Sequence, residues 1–332
     1  MTVYKSCPWI EHGIVFDHCN IVRQCAHFNP VHGGRPIIYN NYHGEKFNWR
    51  KFWDAKKKLR EDAKKGIYLP ECKDCMCLGE RDWEKENYID RILLTPWIAC
   101  NSRCVYCNAP VETEVLENTT SYKILPVMKD FIKRKIFSAD ANIDFAGGEP
   151  TIYPEFEDLI DLFIKNNIND IVVHTNAIKY SEKIEEAIKK GIMRILISVD
   201  SATPEMHKTI KQVDTYEKVW KSIEKYSKAQ EEGARSVRLK YIIVPGINDN
   251  KEELTKWLLK SKALGINYVA LNVDFNWLMA NVNNLSRHIY DLTMYVLDKA
   301  EELQMEVELY PQLTETKNRL EREFAKESIN SN

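Results

Sequence analysis

The chain has 332 residues, of which 44% are apolar, so it can bury a sizeable core and form one large domain or two. Its 47 Lys and Arg residues nearly balance 49 Asp and Glu, and the formal net charge of −2 excludes a global attraction to nucleic acid or an anionic membrane. The N-terminal sequence lacks the apolar core of a signal peptide, and no stretch approaches the roughly 18 apolar residues that span a bilayer, so we expect a cytoplasmic protein without a membrane partner.

The cysteines are concentrated at one end of the sequence. All nine lie before residue 108, and the remaining two thirds of the chain has none. In a reducing compartment, clustered thiols are more often metal ligands or catalytic groups than disulfides. This distribution predicts metal chemistry in the first third of the chain.

Residues 1–88 show few regular hydrophobic periods. One helix is predicted over 48–66, ending at Gly66, and its run "KKKLREDAKK" alternates bases with acids as a solvated helix face does. A C-x2-C pair follows at Cys72 and Cys75. We expect a small cysteine-rich domain that is held by metal rather than by its apolar core. Five histidines are further candidate ligands, but loop histidines are usually solvated and none is assigned: His12, His18, His27, His32 and His43.

From residue 89 onward, short runs rich in Ile, Val and Leu alternate with amphipathic segments. Such runs are typical of parallel strands covered on both faces. They lie at 91–96, 142–147, 170–176, 194–200, 236–244 and 267–275. Six β-then-α units in series predict an α/β fold, a partial (β/α)6 TIM-like barrel over 89–283. Residues 284–332 should form a C-terminal extension with a helix, a strand at 305–310 and a charged last helix.

The segment "WIACNSRCVYC" directly follows the first of these runs. It places Cys100, Cys104 and Cys107 at C-x3-C-x2-C spacing, at the strand end where barrels of this kind build their active sites. Three thiolates can hold three irons of a four-iron cluster that normally takes four cysteines, which leaves one iron open. A zinc site is the alternative for such a cluster of thiols.

This spacing resembles the signature of the radical S-adenosylmethionine (SAM) superfamily. "AGGEP" at the end of the second run resembles the superfamily's GGEP segment, with Gly147, Gly148, Glu149 and Pro150. The resemblance implies that the three cysteines hold a [4Fe–4S] cluster and that SAM chelates its open iron. Reductive cleavage of SAM would then give a 5′-deoxyadenosyl radical, which abstracts a hydrogen atom from the substrate.

The same resemblance points to further cofactor-binding residues at successive strand ends. Single polar residues at strand ends are common, as Asn272 also illustrates, but together they form a ring at one end of the predicted barrel. Lys211 stands where relatives often carry arginine, and a lysine ammonium cannot bind a carboxylate in the bidentate manner of arginine. The candidates implied by the resemblance are Tyr106, Thr175, Asn176, Ser198, Asp200, Lys211 and Val244.

The N-terminal cysteines resemble the SPASM or twitch module, which holds an auxiliary iron–sulfur cluster in related radical enzymes. Here the module would precede the barrel rather than follow it. The resemblance implies an auxiliary [4Fe–4S] cluster held by Cys7, Cys25, Cys72 and Cys75, with structural zinc as the competing metal. Two cysteines are left over, Cys19 and Cys77, and each is a spare ligand, an inert buried thiol or a catalytic hydrogen-atom donor.

The resulting expectation is a radical SAM oxidoreductase or epimerase that acts on a sugar-like small molecule or a peptide. It would take its electron from a reductant such as flavodoxin or ferredoxin. Two alternatives stay open: a radical SAM enzyme that modifies tRNA or a nucleotide, and a zinc-stabilised barrel without radical chemistry. The near-neutral charge makes a nucleic-acid partner the less favoured of these.

Overall fold

The computed structural model describes residues 3–18, 21–26, 36–40, 47–73, 75, 77–83, 88–107, 123–281, 286–311, 313–314 and 317–322. The chain folds as two compact units. The first unit comprises Met1–Cys100 and Pro110–Val173, and the second comprises Asn101–Ala109 and His174–Asn332. No helix in the described ranges is both long enough and apolar enough to cross a membrane.

Strands and helices alternate through most of the described chain. The strands are β1 (Val3–Ser6), β2 (Gly13–Asp17), β3 (Ile21–Arg23), β4 (Ile37–Asn40), β5 (Gly79–Asp82), β6 (Ile89–Thr95), β7 (Phe137–Phe145), β8 (Asp170–Thr175), β9 (Met193–Ser198), β10 (Val237–Ile243), β11 (Tyr268–Val273) and β12 (Glu306–Leu309). The helices are α1 (Pro8–His12), α2 (Trp49–Lys64), α3 (Ile124–Lys133), α4 (Phe156–Lys165), α5 (Glu182–Lys189), α6 (Pro204–Lys211), α7 (Tyr216–Ala229), α8 (Lys251–Ala263), α9 (Phe275–Ala280) and α10 (Arg287–Glu302).

The first unit is built on parallel pairs of β2 with β6, β6 with β7, and β7 with the start of β8. Two short strands, β3 and β4, extend this sheet in antiparallel fashion beyond β2, while β1 and β5 form a separate antiparallel pair. Every residue of β2 is buried, as expected for a parallel strand covered on both faces. The sheet therefore has an N-terminal segment of the chain as an integral strand.

The second unit contains the parallel pairs of β9 with β10, β10 with β11, and β11 with β12. Its core is aromatic as well as aliphatic, since Tyr226, Tyr241 and Trp257 are fully buried. The rings of Tyr241 and Trp257 have centroids 5.0 Å apart, which joins β10 to α8. This packing fixes the strand whose end carries part of the site described below.

The sequence predicted the six β-then-α units correctly. Five of the six strands begin and end within two residues of the predicted runs, while β7 begins five residues earlier than expected, at Phe137. The expected strand over 305–310 is β12, and residues 317–322 of the expected last helix are helical. The α/β fold with a mostly parallel sheet is confirmed.

The N-terminal region differs from its prediction in two respects. A small, separate cysteine-rich domain is not confirmed, because β2 pairs in register with β6, for example Phe16 with Leu94. The predicted boundaries at residues 88 and 283 do not coincide with the two compact units and stay predictions. The expected solvated face of α2 is wrong at Lys56, whose side chain is fully buried.

The integration of β2 predicts that Phe16→Ala destabilises the whole first unit. Phe16 is fully buried and its ring lies 5.8 Å from that of Phe131 on α3. Removal of such a side chain costs about 3–5 kcal/mol of unfolding free energy, measurable by urea denaturation. Val3→Ala, at a position 63% exposed on β1, is the control and should change it by less than about 0.5 kcal/mol. A loss near zero for Phe16→Ala would contradict the assignment of β2 to the core.

Candidate functional site

The two glycines of the GGEP segment lie against the chain that leads into Cys100. The amide of Gly148 donates to Trp97 O at 2.9 Å, and the amide of Glu149 donates to Ala99 O at 2.8 Å. A Cβ on Gly148 would lie 2.1 Å from Ala99 O, and Gly147 adopts a φ of +113°. Both positions therefore require glycine, because a side chain would push the cysteine segment away. Gly147 is exposed, so its main chain is accessible to a ligand.

The other two residues of this motif are turned into the protein. Glu149 is 1% exposed, and its carboxylate accepts hydrogen bonds from Thr151 N at 3.1 Å and Thr151 Oγ1 at 2.7 Å. It thereby caps the short 3₁₀ turn Pro150–Ile152. The Glu149 side chain thus shapes the turn, and the backbone of the glycines is the part of the motif presented outward.

A buried carboxylate at the carboxyl end of β2 was missed by the sequence analysis. Asp17 is 1% exposed and accepts hydrogen bonds from Thr95 Oγ1 at 3.0 Å and His18 Nδ1 at 2.8 Å, and it pairs with Arg23. Thr95 ends β6, and its Cα lies 3.5 Å from the position of a Cβ on Gly147. Only the long-range pairing of β2 with β6 brings these groups together, so no local pattern could have shown them.

In the second unit, residues 101–107, called the cysteine loop, are hydrogen-bonded to the C-terminal end of α6. The amides of Arg103 and Val105 donate to Lys211 O at 3.0 Å and Ile210 O at 2.9 Å, and Ser102 Oγ donates to Lys211 O at 3.1 Å. Ser102 Oγ also lies 3.4 Å from Cys104 Sγ. These bonds hold the loop while leaving Cys104 half-buried and Cys107 exposed. The loop is accordingly fixed by its backbone, with its thiols accessible.

The side chain of Lys211 also holds this loop, through Tyr106 and Asp200. Its ammonium pairs with the carboxylate of Asp200 and lies 3.1 Å from Tyr106 Oη, and Tyr106 Oη donates to Asp200 Oδ2 at 2.5 Å. Asp200 is fully buried and Lys211 is 2% exposed. Burial, reinforced by the charge of Asp200, raises the pKa of Tyr106 well above its ordinary value, so its hydroxyl stays protonated.

This arrangement gives Asp200 and Lys211 a structural role, while the cofactor-binding role that the resemblance implies stays a prediction. The resemblance implied that they face a bound cofactor, whereas their charged groups are buried and directed at each other. A buried charge without a partner costs free energy, so the Asp200 carboxylate and the Lys211 ammonium form an ion pair. Asp200 also has a φ of +58°, and its Oδ1 accepts from the amide of Ile242 at 2.7 Å. The two residues position the loop rather than present charge outward.

Asn248 completes the support of Asp200, and the sequence analysis did not identify it. This fully buried side chain donates to Asp200 O at 3.0 Å and Ile242 O at 2.9 Å, and it accepts from the amide of Val244 at 2.6 Å. Val244 is itself 6% exposed, so its side chain belongs to the core. The loop over residues 244–249, "VPGIND", is thus held by its own Asn248, which fixes the end of β10.

Strand ends β8 and β9 carry the other predicted polar residues. Asn176 Nδ2 donates to Asn101 Oδ1 at 2.7 Å, which ties the end of β8 to the residue after Cys100. Thr175 Oγ1 accepts from the amide of Ala177 at 3.0 Å and so shapes the turn. Ser198 is half-buried at the end of β9 and pairs in register with Lys240. Burial lowers the pKa of Lys240, while Asp200 and the thiols of Cys104 and Cys107 oppose that shift.

The N-terminal cysteines line one pocket in the first unit. About 390 Å³ of atom-free space, open solvent included, lies between its lining residues. Its lining includes the four predicted auxiliary ligands and also Cys77, and the five thiols are those of Cys7, Cys25, Cys72, Cys75 and Cys77. The structure thereby brings together cysteines that lie up to 70 positions apart in sequence.

Burial controls the ionisation of these thiols in the metal-free protein. It raises the pKa of Cys72 to about 12, with Cys7 and Cys75 adding to the effect, and that of Cys77 to about 11, with Cys75 adding to it. Burial also raises the pKa of Cys7, although the amides of Ile10 and Trp9 oppose this. Within the described part of the chain, no three His, Cys, Asp or Glu side chains converge as a single metal ion requires. Cys19 lies outside the described residues.

Gly148→Ala tests the contact between the GGEP segment and the cysteine segment. The added Cβ would meet Ala99 O and Ile98 O at 2.1 and 2.4 Å, so residues 97–99 must move. We expect a large loss of iron bound after anaerobic reconstitution. Gly79→Ala, where a Cβ meets nothing within 4 Å, should bind iron as the wild type does. Full iron content in Gly148→Ala would show that the close approach is unimportant.

Asp200→Asn tests the buried ion pair. The amide keeps the shape of the carboxylate but leaves the Lys211 ammonium uncompensated, so we expect a loss of about 3–5 kcal/mol in the free energy of unfolding. The Asp200→Asn, Lys211→Met double variant should regain part of it, since no charge remains buried. Glu224→Gln, which breaks an exposed pair with Lys228, should leave the urea midpoint unchanged. Equal effects of Asp200→Asn and Glu224→Gln would refute the assignment.

Comparison with known proteins identifies the domain that carries the GGEP segment and the cysteine loop. A GTP 3′,8-cyclase of Clostridium botulinum is 32% identical over 193 residues, which make up 58% of this chain and 58% of the relative. A GTP 3′,8-cyclase of Desulforamulus reducens is 30% identical over 189 residues, 56% of this chain and 55% of the relative. The chain thus matches little more than half the length of these relatives.

Solved structures show the same fold. SuiB of Streptococcus suis bound to precursor peptide SuiA superposes with a TM-score of 0.52 at 12% identity, over 96% of this chain and 75% of that chain. SuiB bound to S-adenosylmethionine gives 0.51, over 80% and 57%. The Radical SAM superfamily model matches residues 94–258. Residues 94–258 are accordingly a domain of the radical SAM superfamily, whose cofactors are a [4Fe–4S] cluster and SAM.

Proposed function

We propose that this chain is a radical SAM enzyme in which Cys100, Cys104 and Cys107 hold the [4Fe–4S] cluster that binds SAM. When bound, these cofactors supply a 5′-deoxyadenosyl radical that removes a hydrogen atom from the substrate. The observation that carries the proposal is the double support of the cysteine segment. The amides of the GGEP segment bond to residues before Cys100, and Lys211 bonds to residues after it.

The chain's own residues have distinct tasks in this proposal. The exposed backbone of Gly147 is free of a side chain and can approach the methionine part of SAM closely. Asp200, Lys211 and Tyr106 keep the loop in place, and Asn176 holds Asn101. The protein supplies binding and orientation, while the cofactors supply the difficult chemistry.

The pocket lined by Cys7, Cys25, Cys72, Cys75 and Cys77, called the thiol pocket below, is the proposed site of a second, auxiliary [4Fe–4S] cluster. We propose Cys7, Cys25, Cys72 and Cys75 as its ligands, because they line one pocket and thiolates are the ordinary ligands of such clusters. Cys77 is a fifth thiol in this pocket and could replace one of the four. Its role as a catalytic hydrogen-atom donor stays a prediction, as does that of Cys19.

Two substrate classes follow from different observations. The module resemblance supports oxidation or epimerisation of a sugar-like small molecule or a peptide, with an electron from flavodoxin or ferredoxin. The identity of 32% to a GTP 3′,8-cyclase supports instead a radical rearrangement of a nucleotide. We rank the nucleotide class first, because it rests on sequence identity across the catalytic domain, whereas the likeness to SuiB is one of fold.

Iron counting tests both clusters at once. The wild type, purified and reconstituted without oxygen, should hold about eight irons and form 5′-deoxyadenosine from SAM when reduced. The Cys100/Cys104/Cys107→Ala variant should hold about four irons and form none. The matched Cys72/Cys75→Ala variant should also hold about four but still cleave SAM. Retention of full iron and SAM cleavage by the first variant would overturn the proposal.

A further inference from the structure

The helix α2 carries one lysine that is turned into the protein. Lys56 is fully buried, although its neighbour Lys57 is 77% exposed on the same helix. Its ammonium donates to Trp9 O at 2.6 Å and Ile10 O at 3.0 Å, and it lies 3.5 Å from Gln24 Oε1. Burial of a lysine costs free energy unless its donors are satisfied, so this position calls for an explanation beyond helix packing.

The three acceptors of Lys56 all belong to residues that line the thiol pocket. Three acceptors match the three N–H groups of an ammonium, whereas a neutral amine has only two. Trp9 and Ile10 lie on α1, which begins after Cys7, and the amide of Ile10 donates to Cys7 Sγ at 3.4 Å. Lys56 therefore stands directly behind the pocket wall that carries a predicted cluster ligand.

An anion in the pocket would favour the charged form of Lys56. Burial lowers the pKa of Lys56 to about 7, with Arg60 adding to the shift, while Cys7, Glu11 and Cys25 oppose it. The charge of Arg60 is offset by Glu11, whose Oε2 lies 3.4 Å from Arg60 Nε. The groups that stabilise a charged Lys56 are accordingly this carboxylate and the pocket thiols, and thiolates bound to iron are negative.

We propose that Lys56 is a positioning residue that fixes a positive charge behind the thiol pocket and raises the reduction potential of an anionic iron–sulfur cluster held there. The inference rests on the auxiliary cluster of the proposed function. One-electron reduction makes such a cluster more negative, and a nearby ammonium stabilises the reduced form more than the oxidised form. The same hydrogen bonds hold the wall that presents Cys7.

The test is an EPR redox titration in the full-length Cys100/Cys104/Cys107→Ala background, where only the auxiliary cluster contributes. Lys56→Gln should lower the ratio of reduced to oxidised cluster about tenfold at a fixed potential, a shift of about 59 mV for one electron. Lys57→Gln is the matched control and should leave the potential unchanged. Lys56→Arg keeps the charge and should restore most of the potential.

A second variant guards against a folding defect in Lys56→Gln. Gln24→Glu keeps an acceptor for Lys56 but places a negative charge against the ammonium, so it should also lower the potential. If both variants carry the cluster at the wild-type potential, the role of Lys56 is wrong while the auxiliary cluster stands. If the background variant binds no iron, the auxiliary cluster itself is wrong, and this inference with it.

Discussion

The buried ion pair of Asp200 with Lys211 is the interaction on which the position of the cysteine loop depends. Both ends of Lys211 act on that loop at once. Its main-chain carbonyl accepts hydrogen bonds from Ser102 and Arg103. Its ammonium pairs with the carboxylate of Asp200 and also lies 3.1 Å from the hydroxyl of Tyr106. Because neither charge is tolerated alone in the interior, the pair fixes the end of α6 to the segment that follows β9 and thereby fixes the loop.

Main-chain hydrogen bonds also position the other parts of the site that bear cysteines. Before Cys100, the chain is held by amides of the GGEP segment, and this works only because glycine leaves room for carbonyl oxygens at the closest approach. In the first unit, the Lys56 ammonium donates to three residues that line the thiol pocket. Two of the thiols take part in these frameworks as well, since Cys7 Sγ accepts from the amide of Ile10 at 3.4 Å and Cys104 Sγ lies 3.4 Å from Ser102 Oγ.

The sequence predicted those parts of the structure whose cause is local. Parallel strands buried on both faces must be rich in Ile, Val and Leu, so the runs that became β6 to β11 were recognisable, and the glycines at 147 and 148 marked a close approach. Long-range partners left no such signal. The resemblance predicted Lys211 as a cofactor-binding residue and gave no sign of its buried pairing with Asp200, and Lys56 was predicted to be solvated because its acceptors lie more than 30 residues earlier. The strand β2 was not recognised because it is only five residues long and lies within a cysteine-rich segment.

The protein itself fixes the cysteine loop before any metal binds. Hydrogen–deuterium exchange of the metal-free protein measures this directly at the amides of Arg103 and Val105, which donate to Lys211 O and Ile210 O. The account predicts that both exchange as slowly as amides in the middle of α7, and that Asp200→Asn accelerates them. Exchange of both amides at the rate of an unfolded chain would contradict it.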